Sequence, residues 1–447
     1  MKWKQAAGGK PKDSFKRAGL NLWLSKGVLS TRMFRLIIVL LGIVFCSWFS
    51  LGAQPQQLQN ARRVLFLGDS ITHGGLYIDY LEGYLLTRYP EKHWEIINLG
   101  LPSETVSGLS EPGHAGGQFP RPDLHERLDR ALEKVQPDLV FACYGMNDGI
   151  YYPLDDARLR SYQEGTRKLR AKVQAAHARI IHITPPTFDP EPIKSKTLPA
   201  GLEVYPSPYV GYNDVLGKFS DWLVEQRAGD WTVIDLHRPM DRYLAQRRKT
   251  DPRFHLAGDG VHPNGVGHWI FAREILLALR VPSEVDTTVV DGSESVTRSS
   301  NEGFRFEWKT RIPMPMDPSW DPNVSEEVRR LFNVHQVKVI HLSKAKYRLK
   351  EGDTEVGTFT KEELATGLDL LNFSALTTNQ KAKELFKLVH RRQRILTDAW
   401  LTEVGHKRPG MAKGLPMDAA QTKASEIEKQ MRALAQPVTL SLSLVPE

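Results

Sequence analysis

Five short apolar runs set at intervals along the first two thirds of the chain limit its fold more than any other feature. They are "RRVLFLG" from residue 62, "HWEIINLG" from 93, "PDLVFACYG" from 137, "ARIIHITPP" from 178 and "DWTVIDL" from 230. Each has the length of one strand, and the stretches between them are long enough for helices. Continuous apolar runs suit strands covered on both faces, and strand-helix alternation suits a parallel sheet with helices on either side. The expectation is a five-stranded α/β domain over about residues 62–283. In such a sheet the chemistry collects in the loops leaving the carboxyl ends of the strands, so each exit is read in turn.

The first exit is Gly68-Asp69-Ser70, where glycine permits a tight turn and the hydroxyl projects from the top of the sheet. A serine there also serves as a helix N-cap, and alone the position does not separate the two roles. The second exit ends in Asn98-Leu99-Gly100, and the third, "YGMNDG" at 144–149, places Asn147 in a turn, where asparagine commonly bonds its own backbone. Beyond the fifth run comes "LAGDGVHPNGVGHWIF", with Asp259 and His262 three residues apart.

These signals acquire a chemical meaning together. Serine is a poor nucleophile until a neighbouring base takes its proton, and histidine is the usual base near neutral pH. A carboxylate beside that histidine fixes its tautomer and stabilises the imidazolium, which makes Ser70, His262 and Asp259 a candidate triad. The oxyanion formed on an attacked carbonyl needs donors, and the N–H groups of Ser70 and Gly100 and the amide of Asn147 are the candidates.

The order "GDSIT", a strand-ending Gly, "GMND" and "DGVHPN" resembles the four sequence blocks of the SGNH, or GDSL, hydrolase superfamily, over about half the chain. The resemblance implies a three-layer, flavodoxin-like α/β/α fold. It also implies a serine esterase in which Ser70 is the nucleophile, Gly100 and Asn147 complete the oxyanion hole, and Asp259 and His262 complete the triad.

Other readings of the same residues are weaker. His255, His262 and His268 are separated by gaps of six and five residues, which match no common ligand spacing, and no cysteine accompanies them. "GLPSETVSG" lacks the Gly-Lys-Ser/Thr ending of a phosphate loop. No metal and no cofactor is expected.

Two proline-rich exits, 101–122 and 185–209, exceed a typical connection and would wall the site. Asp69, Tyr151, Tyr152, Phe188 and Tyr209 are candidate substrate contacts; Tyr205 lies among them. Exposed aromatic faces stack on sugar rings, although the same rings also pack loops onto a sheet. The expectation is hydrolysis of short-chain esters, acetyl foremost, on a small molecule or polysaccharide. The alternatives are a lipolytic or lysophospholipase-type acylhydrolase and a non-catalytic carbohydrate-binding protein on the same fold.

Charge locates the remaining functions. The chain carries a net +8, and its first 35 residues hold nine basic side chains against Asp13 alone, which accounts for all of it. The rest is neutral, so no nucleic-acid partner is expected. "LIIVLLGIVFCSWFSLG", 36–52, follows Arg32 and Arg35 and reads as an export signal cut near Ala53, with an uncleaved membrane anchor as the alternative and Met33 as a second possible start. Cys46 lies in that leader, leaving Cys143 alone in the exported chain.

The organisation expected is a leader over 1–53, the catalytic domain over 54–283, a polar linker over 284–303 and an α+β accessory region over 304–447. In the last, a hairpin turns at Glu351-Gly352-Asp353, Thr360 and Glu363 form a capping box, and helical spacing recurs from Ala382 to Trp400 and from Ile427 to Leu434. This tail resembles the C-terminal extension of some exported bacterial SGNH hydrolases. Few strands are expected there, no independent sandwich, and "HRRQRI", 390–395, reads as a solvated helix face.

Overall fold

The five apolar runs form one sheet. In the computed structural model, which describes residues 55–281, 285–293, 303–406 and 413–447, strands β1 (Arg63–Gly68), β2 (Glu95–Asn98), β3 (Leu139–Cys143), β4 (Arg179–Ile183) and β5 (Thr232–Ile234) pair in the order β2-β1-β3-β4-β5. Every pairing is parallel. Parallel neighbours need crossovers, and these are supplied by helices α1 (Ser70–Gly74), α2 (Leu76–Arg88), α3 (Leu128–Val135), α4 (Asp156–Ala175) and α5 (Tyr212–Glu225), while α6 (His237–Arg248) and α7 (Gly265–Ala278) follow β5. The result is the expected three-layer α/β/α fold. Phe66 and Phe141, opposite each other in register, stack at 4.9 Å and tie β1 to β3. The chain runs from β1 to β2 on one side and then returns to β3 on the other, so the carboxyl ends of β1 and β3 form the topological switch point where such sheets open a crevice.

All described elements lie in the unit Gly52–Glu447. The leader, with its cut site near Ala53, Met33 and Cys46, falls outside the described residues. Among the described residues no helix is long and apolar enough to cross a membrane.

The C-terminal half is richer in strands than the sequence reading allows. It contains β6 (Val285–Asp291), β7 (Phe304–Thr310), α8 (Pro322–Leu331), β8 (Val334–Ile340), β9 (Lys346–Glu351), β10 (Thr354–Thr360), α9 (Lys361–Thr366), β11 (Leu368–Asp369), α10 (Thr377–Val404), α11 (Met417–Ala435) and β12 (Val438–Pro446). These strands make a four-stranded sheet, β10-β9-β12-β7, and a three-stranded one, β11-β8-β6. The expected hairpin is β9-β10, with Thr354 opposite Glu351, and the capping box at Thr360 and Glu363 is present. The start of the segment read as a linker is instead β6, paired in parallel with β8. Its "VDTTVVD" is mostly β-branched, and such side chains suit a pleated surface better than a solvated tether. The rest of that segment, 294–302, is outside the described residues.

The accessory elements complete the core of the first domain. Every residue of α2 after Leu76 is buried, which a helix achieves only when covered on all sides. The sheet covers one side and α10 with α11 another: Leu86 packs among Leu385, Val389, Ile427 and Met431. Trp320, Phe332, Leu396 and Trp400 join the main core directly.

"HRRQRI" therefore requires a correction. Arg392 and Gln393 are buried and bond the buried Glu82, His390 bonds Asp79 at 2.7 Å, and Arg394 donates to the His73 carbonyl. A basic stretch on α10 lies against α2 because α2 presents two carboxylates there, and a buried charge requires a partner.

Candidate active site

Ser70 opens α1 directly after β1. Asp69, not the serine, caps that helix, accepting from the Ile71 N–H at 2.9 Å. As the first helical residue, Ser70 has an N–H with no acceptor inside the helix. Asp69, expected among the substrate contacts, is 4 % exposed, and burial pushes its carboxyl up to about 7 against the pull of the Ile71 N–H.

His262 approaches from the loop before α7. Its Nε2 lies 2.8 Å from Ser70 Oγ and its Nδ1 2.6 Å from Asp259 Oδ2. The local sequence explains the second distance. Asp259 Oδ1 accepts from the N–H groups of Val261 and His262, a turn in which the aspartate folds the chain back on itself. Gly260 between them has φ 81°, and a Cβ there would meet the Asp189 carbonyl at 2.7 Å, so only glycine fits without strain. Partial burial raises the Asp259 carboxyl, but the bonds from the His262 ring and backbone and from Val261 outweigh it and hold the group below its ordinary value. The carboxylate stays ionised beside the imidazole.

Asn147, in the turn after β3, is 4 % exposed. Its Nδ2 donates to the Glu104 carbonyl at 3.2 Å, and its Oδ1 accepts from Arg121 Nη1 at 3.1 Å and from the Tyr151 hydroxyl at 3.2 Å. Glu104 is itself fixed, paired with Arg127 at 2.6 Å and accepting from the Tyr144 hydroxyl. Asp148 Oδ1 accepts from the N–H groups of Val106 and Ser107 at 2.8 Å each and pins the second exit to the third. Burial pushes its carboxyl up to about 6.

Gly100, expected in the oxyanion hole, lies at the exit of β2. Its N–H donates to Asn98 Oδ1 at 2.9 Å and is spent on that bond. Its glycine character is needed because a Cβ would collide with the backbone of Thr72 and His73, in the turn that carries Ser70. In this structure Gly100 brings two strand exits together.

The aromatic candidates also divide. Phe188 is 1 % exposed and packs edge-on against Tyr212, so it offers no face to a ligand. Tyr151 stacks on Tyr212 at 4.8 Å, Tyr152 meets Tyr205 at 4.9 Å, and Tyr205 meets Tyr209 edge-on. These rings mainly pack the exit after β3 onto the exit after β4, and Tyr151, Tyr152 and Tyr209 remain part-exposed. Arg121, Glu104 and Arg127 escaped the sequence reading. Charged residues in a long loop are ordinarily solvated, and no spacing marks these as buried.

Residues 66–270 match the family model of the GDSL-like lipase/acylhydrolase family. That segment, just under half of the chain, is similar to the family, and the match supports an SGNH-type carboxylic ester hydrolase. Among solved structures, a gut microbial diltiazem-metabolizing enzyme is similar at 20 % identity with a TM-score of 0.67, over 87 % of this chain and 98 % of its own. That likeness takes in the C-terminal region as well as the sheet. A catalytic mutant of an acetylxylan esterase from Geobacillus stearothermophilus is similar at 22 % identity with a TM-score of 0.37, over 49 % of this chain and 95 % of its own. No curated protein matches the chain.

Proposed function

We propose that the protein is a serine esterase that removes short acyl groups, acetyl above all, through a Ser70-His262-Asp259 triad and an acyl-enzyme. The observation that carries this reading is the unbroken line from Ser70 Oγ through both ring nitrogens of His262 to Asp259. With Nδ1–H held by an ionised carboxylate, Nε2 carries the lone pair that accepts the serine proton. Ser70 attacks the ester carbonyl, His262 takes the proton and returns it to the departing alcohol, and water then repeats the sequence to release the acid. Ser70 N–H and Asn147 Nδ2 receive the negative charge on the carbonyl oxygen.

A short acyl group is supported by the walls of the crevice. Tyr151, Arg121 and the packed rings behind them crowd the Asn147 side, where the acyl carbonyl must lie. The part-exposed Tyr152 and Tyr209 are the groups against which a sugar alcohol would rest. One observation favours the second reading, a lipolytic acylhydrolase: Leu154, Leu202, Val204 and Val210 are exposed on the same two exits. An apolar rim of that kind suits an apolar alcohol or chain. Export, carried by residues 36–52, belongs to the same proposal, and it would put the enzyme in contact with polysaccharide esters.

The test is hydrolysis of chromogenic esters of increasing acyl length by the full chain and its Ser70→Ala variant. Activity lost in the variant and falling steeply beyond about two to four carbons supports the proposal. A rise with chain length moves the assignment to lipids, and unchanged turnover in a folded variant removes the triad.

A further inference from the structure

We infer that Arg121 and Tyr151 are positioning residues that orient and polarise the Asn147 amide, so that the long exit after β2 sets the strength of the oxyanion donor. The inference rests on Asn147 acting in the oxyanion hole, and it concerns residues to which neither the family match nor the sequence blocks assign a role.

An asparagine amide has two nearly isosteric ends, and only the nitrogen can donate to an oxyanion. Here the oxygen end accepts two bonds, one from a guanidinium and one from a phenol. Reversing the amide would set Nδ2 against both donors, so the pair imposes one orientation. The cationic donor also draws electron density from the amide oxygen, which makes the remaining N–H a stronger donor in a site shielded from water.

Arg121 is held on all three of its side-chain nitrogens. Its Nε and Nη2 bond the two oxygens of Glu111 at 2.6 and 2.7 Å, its Nη1 bonds Asn147, and its side chain is 6 % exposed. A fork-to-fork pair of this kind fixes the guanidinium plane. The Arg121 N–H donates to Ser110 Oγ as well, so the excursion between residues 110 and 121 is closed at its neck by two contacts. The loop is thus anchored where it touches Asn147.

Tyr151 reaches the amide through an unfavourable backbone. Ile150 and Tyr151 have φ of 49° and 60°, left-handed values that a β-branched residue rarely adopts. Such strain persists where surrounding contacts hold it, and here the turn brings the Tyr151 hydroxyl back onto the side chain four residues earlier. The Tyr151 carbonyl accepts from the Tyr209 N–H at 2.9 Å, which secures the turn from the other exit. The Arg121 guanidinium lies 5.4 Å from the Tyr151 ring centre, so the two donors also support each other.

The experiment is a double-mutant cycle on a short-chain ester, with kcat and KM measured separately and folding checked by thermal unfolding. Asn147→Ala alone tests the underlying reading and should lower kcat by ~10²–10³. Arg121→Met should lower kcat by about 10- to 100-fold with KM nearly unchanged, since misdirecting a donor removes transition-state stabilisation only. In the Asn147→Ala background the same substitution should cost no more than about 2-fold, because the group it positions is gone. Tyr151→Phe keeps the ring and removes one bond, giving a kcat loss of about 2- to 10-fold that also vanishes in that background. If Arg121→Met fails to fold, the Tyr151→Phe cycle decides alone. Equal losses in both backgrounds, or losses in KM rather than kcat, overturn the inference while leaving the oxyanion role standing. An Asn147→Ala variant with normal kcat overturns both.

Discussion

Two aspartate-histidine pairs in this molecule have almost the same length and about equally exposed histidines, but their aspartates have opposite surroundings. Asp259 and His262 lie 2.6 Å apart at the strand exits with their side chains 56 % and 51 % exposed. Asp79 and His390 lie 2.7 Å apart between α2 and α10, where Asp79 is 3 % exposed. At Asp259, backbone N–H groups and the imidazole outweigh desolvation and hold the carboxyl low. At Asp79 burial prevails over the bonds from His390 and raises it. The hydrogen bond is the same and the chemistry differs, because solvation and backbone donors decide which protonation state is favoured. One pair is open to a reactant and touches a serine; the other joins a C-terminal helix to the domain.

The largest effects should separate these roles by activity. Ser70→Ala and His262→Ala are each expected to lower kcat by up to ~10⁶-fold with unfolding midpoints close to the parent's. His390→Ala should leave kcat per folded molecule near normal. A His390→Ala variant as inactive as His262→Ala, yet folded, would break the comparison.

Asp259→Asn should cost less than loss of the serine or histidine, ~10⁴-fold in kcat, because the imidazole remains in place with the wrong tautomer favoured. Steady-state assays with the same short ester measure it. Asp79→Asn in the same assay serves as the control and should change kcat little.

How much of this was legible in the sequence follows the same division. The sheet could be read because its strands are continuous apolar runs, and the site because Ser70 and Asn147 fall at strand exits and Asp259 and His262 stand three apart in the loop before α7. The long-range pairings that decide burial could not. Nothing local in "HRRQRI" distinguishes Arg392, which is buried, from a solvated arginine, since its partner Glu82 is 310 residues away. At Gly100 the close neighbour is the backbone of Thr72 and His73, a turn that only the folded chain brings near. The strands β7 and β12 are a different case. "FRFEWKT" and "VTLSLSLVP" alternate with period two and bury alternate residues, and their partners lie at opposite ends of the C-terminal half.

Arg392→Ala tests the buried side of the comparison by stability. It leaves Glu82 with Gln393 as its remaining side-chain partner, in a site where burial already raises the Glu82 carboxyl. Removing one member of a buried ion pair typically costs about 3 kcal/mol or more. Urea unfolding should show that loss, with kcat per folded molecule preserved. A loss confined to a few tenths of a kcal/mol would show that the C-terminal helix is held by its apolar contacts with Leu86 and that the charges between α2 and α10 contribute little.

The smallest effect is the pH dependence of stability, and its sign differs between the two pairs. Asp79 has a raised carboxyl and His390 a raised imidazole, the latter because of its bond to Asp79. The folded state therefore holds protons at both groups more tightly than the unfolded chain does. Their contribution is fully present below the unfolded values, 3.8 and 6.5, and is lost as pH rises through the folded ones. Asp259 works the other way: its folded value lies below 3.8, so its contribution is present above that pH and lost as pH falls through the lowered value. Urea midpoints followed from about pH 3 to about pH 8 should then show two opposite changes. Asp79→Asn should gain on the parent as pH rises, because it no longer has a buried carboxyl to ionise. Asp259→Asn should fall further behind the parent as pH rises through the acid end of the same range, because the parent alone has a carboxylate whose ionisation the turn rewards. If both variants tracked the parent in parallel, solvation would not be what distinguishes the two pairs, and the contact of His262 with Ser70 would be the whole of the difference.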